Sequence, residues 1–234
     1  FNDNGDMTQI TAEPNARLLS EDASSKTAVT ANQAVLHFDV QTDVIAGRQR
    51  NSSILKAAFA KGNAVVDSSP VPQPGVKPAD TRILRSDSIQ IAMKPGGRNI
   101  QSLTTDAPGQ LEFKPNQPDH AHRWMNGDRI QIAYGDENAI DSFHATKVTT
   151  RTEKPLPSGK QIGKDGKPAP APPPALTSSD EMMAKFAPQT NELATLEQTG
   201  NFQYEEGPRH ATSASAFLDQ NSNKITLKND ARVW

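Results

Sequence analysis

The chain has 234 residues, of which 34% are hydrophobic, 22% charged and 5% aromatic, and 25 basic against 27 acidic side chains leave a net charge of −2. That balance lacks the basic excess of a nucleic-acid footprint, and the absence of cysteine removes disulfides, thiolate nucleophiles and cysteine-held zinc. Eighteen prolines and 14 glycines beside so few aromatics point away from a helical bundle, towards short strands, turns and loops.

The chain begins with the polar run FNDNGDMTQI, which is no secretory leader, and no apolar run nears the roughly 20 residues of a membrane helix. The abrupt ends at Phe1 and Trp234 read as those of an excised fragment.

The organising feature is an internal repeat. Its first, loosest copy is Asn32-Gln-Ala-Val-Leu-His-Phe38, with an inserted loop before Leu55 and Ala58. Residues 67–81, with four prolines, read as a loop. Asp87-Ser-Ile-Gln-Ile-Ala-Met93 follows, turns through Lys94-Pro-Gly-Gly-Arg98, and continues with Ile100 and Leu103. Asp128-Arg-Ile-Gln-Ile-Ala-Tyr134 repeats the frame, turns through Gly135-Asp-Glu-Asn138, and continues with Ile140 and Phe143. Residues 151–175 hold seven more prolines and read as a second, polyproline-rich insertion. The frame then resumes at Asp180–Phe186, with a turn at Pro188-Gln-Thr-Asn191 before Leu193 and Leu196. A last copy runs from Ala214 to Leu218, turns at Gln220–Asn223 and ends with Ile225 and Leu227. Third strands follow three of the hairpins, each opened by a glycine suited to a bulge or bend: Gly62–Val66, Gly109–Phe113 and Gly200–Tyr204.

Within each copy the apolar residues alternate, which places them on one face of a strand, and the turns carry residues that accept positive φ. The expected fold is therefore all-β, a row of antiparallel hairpins forming one domain over 1–234, with loop insertions at 67–81 and 151–175. Its one apolar face must be covered by another sheet or by folding the sheet over on itself. That face bears Ile89, Ile91, Leu103, Leu111, Phe113, Ile130, Ile132, Ile140, Phe143, Leu193, Leu196, Phe202, Tyr204, Leu218, Ile225 and Leu227. It either closes as a core or stays partly open as a trough for acyl chains; pattern alone favours the closed core.

No nucleophile elbow, phosphate loop or dinucleotide fingerprint is present, so no enzyme activity is expected. Asp119-His-Ala-His122 has alternate imidazoles, but Pro115, Asn116, Gln117 and Pro118 give it a turn composition, and an exposed loop without metal is expected. The recurring Asp87, Asp128 and Asp180 read as turn-forming carboxylates at hairpin starts.

The stretch from Gly200-Asn-Phe-Gln-Tyr204 through His210-Ala-Thr-Ser213 and Ile225-Thr-Leu227 to Arg232-Val-Trp234 resembles the OstA-like family. This is the domain shared by the periplasmic lipopolysaccharide-transport proteins LptA, LptC and the N-terminal part of LptD. Residues 84–150 resemble it more loosely and residues 1–66 least. The resemblance implies a twisted, jelly-roll-like sheet folded into a trough, the β-taco. It implies a periplasmic location and lipopolysaccharide as cargo, with lipid A acyl chains inside. It also implies partners: other OstA-like domains joined by edge-strand pairing, an inner-membrane ABC transporter and an outer-membrane translocon, with no cofactor. The two proline-rich insertions depart from the short bridge protein. A structural envelope scaffold with a sealed core is the alternative.

Overall fold

The structure, a computed structural model, describes residues 1–21, 25–45, 48–75, 77–155, 171–187, 193–222 and 224–234. It is 72% strand. Its strands are β1 (Gln9–Ala12), β2 (Ala16–Glu21), β3 (Ser25–Ala31), β4 (Gln33–Ile45), β5 (Arg48–Pro70), β6 (Thr81–Met93), β7 (Ile100–Thr105) and β8 (Gly109–Lys114). There follow β9 (His122–Gly127), β10 (Arg129–Tyr134), β11 (Ile140–Glu153), β12 (Ala175–Phe186), β13 (Leu193–Glu206), β14 (Arg209–Asp219), β15 (Lys224–Lys228) and β16 (Arg232–Val233). All 16 belong to one antiparallel sheet, and one 3-10 turn, Asp136–Asn138, interrupts them.

The long strands change partners halfway. In β6, Thr81–Ser86 pairs with β8 whereas Ile89–Met93 pairs with β7. In β11, Ile140–Thr146 pairs with β10 and Thr149–Glu153 with β9. The sheet thus consists of two rows of pairings that share their long strands. The first row runs β1-β4-β5-β6-β7-β10-β11-β12-β13-β14-β15. The second runs β2-β3-β5-β6-β8-β9-β11-β12-β13-β14-β16.

The crossings between rows have a local cause. Register shifts fall at Lys61/Ala64, Ser178/Glu181 and Thr199/Phe202. Two of them hold Gly62-Asn63 (φ 73° and 50°) and Gly200-Asn201 (φ 76° and 52°), residue types that enter the left-handed region most easily. Asp87, Asp128 and Asp180 also sit at crossings, between the two halves of a path rather than simply at hairpin starts. Asp180 there accepts hydrogen bonds from Lys147 Nζ and Asn201 Nδ2, both at 2.7 Å.

Each row carries an apolar ladder of cross-strand neighbours. In the first row it reads Ile10, Leu36, Ala58, Ile91, Leu103, Ile132, Phe143, Ala184, Leu196, Leu218 and Ile225. In the second it begins Leu18, Val29, Val66, Leu84, Leu111 and Met125. Residues of both rows join one hydrophobic cluster, and burial of each large aliphatic side chain in it contributes about 1.5–3 kcal/mol. At β11 and β12 the second ladder turns polar, where Thr150 and Thr177 share a hydrogen bond at 2.7 Å and buried Gln198 donates to Thr177 at 3.0 Å, before it continues through Tyr204, Ala211 and Val233.

Three boundaries differ from the sequence reading. Residues 39–54, taken as an inserted loop, extend the β4–β5 hairpin in unbroken register from Asp39↔Ile54 to Ile45↔Arg48. Strand β5 continues through Pro70, where Ser25↔Pro70 closes its ladder with β3, so the loop shortens to 71–80. Residues 151–153 and Ala175 likewise belong to strands, while residues 156–170 of that insertion and the turn at 188–191 lie outside the described residues.

Candidate functional site: an apolar slot between the two rows

Alternation along β5 and β6 sends every second side chain into the space between the rows. From the second row, Val66, Leu84 and Leu111 reach it; from the first, Ala58, Ile91, Leu103 and Ile132 do. These residues are 2–6% exposed and form the floor of a cavity of about 1020 Å³. At Ala58 the ladder has a small side chain between Leu36 and Ile91, which leaves room that a larger residue would fill. Leu18, Leu55, Met93 and Ile100 extend the apolar walls outward.

The rim is polar. Ser20, Ser69, Asp80 and Arg82 come from the second row, and Arg98, Asp136, Asn138 and Asp141 from the first. Two of these carboxylates already have basic partners: Asp136 lies 3.4 Å from Lys94 Nζ, and Asp80 lies 2.8 Å from His120 Nδ1 and 3.8 Å from Arg123 Nη2. Tyr134 projects into the slot, and burial pushes its phenol up to about 12, with the Arg82 charge pulling the other way. Burial also draws Arg82 below the ordinary arginine value, against the pull of Tyr134 and Asp80; an arginine nevertheless remains charged at neutral pH.

Of the residues expected in a trough, Ile91, Leu103, Ile132 and Ile140 line this cavity, as does Leu111. Ile89 and Ile130 are wholly buried in the adjoining core, where Ile130 N donates to Thr105 Oγ1 at 2.9 Å. Phe143 and Phe202 are buried away from the cavity, the Phe143 ring lying 5.9 Å from that of Phe186. Phe113, Leu193 and Leu196 pack against the core while partly buried. Tyr204, also half-buried, donates its hydroxyl to Glu206 at 2.6 Å. Leu218 and Leu227 are half-buried, and Ile225, at 61% exposed, is not sheltered at all, because β15 is the edge of its row. The slot therefore occupies the part of the molecule from β2 to β11; beyond it lie the Phe143–Phe186 ring pair and the Thr150–Thr177–Gln198 hydrogen bonds.

Leu18, Val29, Leu36, Leu84 and Tyr134 were not singled out as trough residues by the sequence. The alternation Leu84-x-Ser86 continues that of Ile89 and Ile91 only across the irregularity at Asp87, which breaks the period.

His120 and His122 serve different carboxylates. His122 Nε2 lies 2.9 Å from Glu112 Oε1, and its ring stacks on Trp124 with centroids 3.7 Å apart. Glu112 also accepts from Arg85 Nη1 at 2.7 Å; burial alone would raise its pKa, but the hydrogen bonds from Arg85 and His122 together bring it below the ordinary glutamate value. Among the described residues, no group of three or more histidines and carboxylates is arranged to hold a metal ion. No family model, curated protein or solved structure matches this chain.

Proposed function

We propose that this chain is a periplasmic lipopolysaccharide-transport module, a β-taco whose slot receives lipid A acyl chains. The observation that carries this reading is the cavity of about 1020 Å³ with an apolar floor supplied by both rows and a polar rim. Ligand sites of roughly 300–1,000 Å³ with apolar walls and few polar groups are the usual size for a small molecule, and each buried methylene contributes about 0.8 kcal/mol. The OstA-like resemblance of Gly200–Trp234 adds the cargo class and the bridge partners. In that bridge, edge strands β1 and β15 of one row, or β2 and β16 of the other, pair with further OstA-like domains, between an inner-membrane ABC transporter and an outer-membrane translocon. The chain itself performs no covalent step; it shelters the chains and passes them on.

The test is uptake. Delipidated protein mixed with lipopolysaccharide is expected to co-elute with it at a fixed stoichiometry. A chain that takes up neither lipopolysaccharide nor a photo-crosslinkable acyl analogue is instead the sealed-core scaffold, a reading supported by the Phe143–Phe186 ring pair and the Thr150–Thr177 hydrogen bond at and beyond β11.

A further inference from the structure

The slot holds a guanidinium, Arg82, and a phenol, Tyr134. Arg82 lies on β6 two residues outward from Leu84, on the same inner face, with Ser68 and Phe113 as its cross-strand neighbours. Arg82 lines the cavity; among the described residues no carboxylate forms a salt bridge with it, although the charge of Asp80 acts on it. Tyr134 lines the same cavity from the first row. The nearest acidic group, Asp80, spends its oxygens on His120 and Arg123. One neighbour further along the Arg82 register, past Phe113, Arg123 keeps its Nε buried without any acceptor. This corner brings the two arginines together at the boundary between an apolar floor and a polar rim.

We infer that Arg82, with Tyr134, is an anion anchor for an acyl-chain ligand: the slot takes amphiphiles whose carboxylate or phosphate seats on the Arg82 guanidinium while the chain runs along the Leu84–Leu103 floor. The inference rests on the acyl-slot reading above and adds the head-group chemistry to it. A guanidinium presents its N–H groups in a planar fork that matches such oxyanions, and the low-dielectric wall strengthens the contact and shields it from salt. An uncharged lipid would make no such contact with Arg82, so the slot discriminates by head group as well as by chain.

The experiment is calorimetric titration of the whole chain with dodecyl phosphate, with dodecanol and with inorganic phosphate. Dodecyl phosphate is expected to bind about tenfold or more tighter than dodecanol, the size of a charge-assisted hydrogen bond. Inorganic phosphate alone is expected not to bind. In Arg82→Gln the preference for dodecyl phosphate over dodecanol is expected to shrink to within about twofold, and Arg82→Lys restores part of it. Thermal melts of both variants report that they are folded. Equal binding of the two alkyl probes to the native chain, or a preference that survives Arg82→Gln, overturns the anchor and leaves the acyl slot standing. Inorganic phosphate binding as tightly as dodecyl phosphate makes the site one for free anions and also overturns it. Failure of both alkyl probes to bind overturns the acyl-slot reading itself, and the anchor with it.

Discussion

At a row crossing the chain must change facing within two residues, and Gly200 shows what that demands. Its φ is +76°, and a Cβ added there would come within 2.5 Å of Asp180 Oδ2 and 2.7 Å of Asp180 Cβ. A side chain would therefore be strained in its backbone and would also dislodge the carboxylate that receives Lys147 and Asn201. Gly200→Ala is expected to lower unfolding stability by about 1–3 kcal/mol, read from a chemical denaturation curve; an unchanged midpoint would contradict the crossing geometry. Glu112 makes a second residue-scale claim. Its folded pKa is depressed, so it contributes stability above the ordinary glutamate value of about 4.3, and that contribution is lost as pH falls through the lower folded value. Melting temperature is expected to drop over that acid range in the native chain and to drop less in Glu112→Gln, with parallel curves refuting the linkage.

Strand by strand, the legible parts of the chain are those where one face is buried. The pairs Met93↔Ile100, Tyr134↔Ile140, Phe186↔Leu193 and Leu218↔Ile225 place hairpins where the period-two pattern puts them. The pattern is silent over 39–54, because that hairpin extension is exposed on much of both faces, with Val44 at 69%, and hydrogen bonding rather than burial sets its register. Strand β9 is hidden for a different reason: its Trp124 stacks on His122 rather than entering an apolar ladder, so turn-like neighbours dominate the local composition. The slot was legible only in part, since the alternation that marks an inward face does not say whether the facing row fills the space. Ala58 makes that point testable. Ala58→Leu adds volume where a cavity exists, so acyl-probe affinity is expected to fall about tenfold or more with melting temperature held or raised. Ile89→Ala, in the filled core beside it, is expected to cost about 2–5 kcal/mol of stability. An Ala58→Leu protein that binds normally would show that the chains do not run there.

Across the whole molecule, the two rows end in open edges that carry exposed apolar residues: Ile10 and Leu19 at one end, and Ile225, Val233 and Trp234 at the other. Unpaired edges of this kind template association with another sheet. Sedimentation is expected to show concentration-dependent assembly of the native chain and its loss in the Ile225→Lys, Val233→Lys double variant. A native chain that stays monomeric at all concentrations would contradict end-to-end pairing. The central claim, that lipid travels between the rows, is tested most directly by one measurement: photo-crosslinking to lipopolysaccharide from a photoreactive residue at Ile132, which lines the cavity, against the same residue at its outward neighbour Gln131. The account predicts an adduct from position 132 and none from 131; no adduct from 132, or equal yields from both, would contradict it.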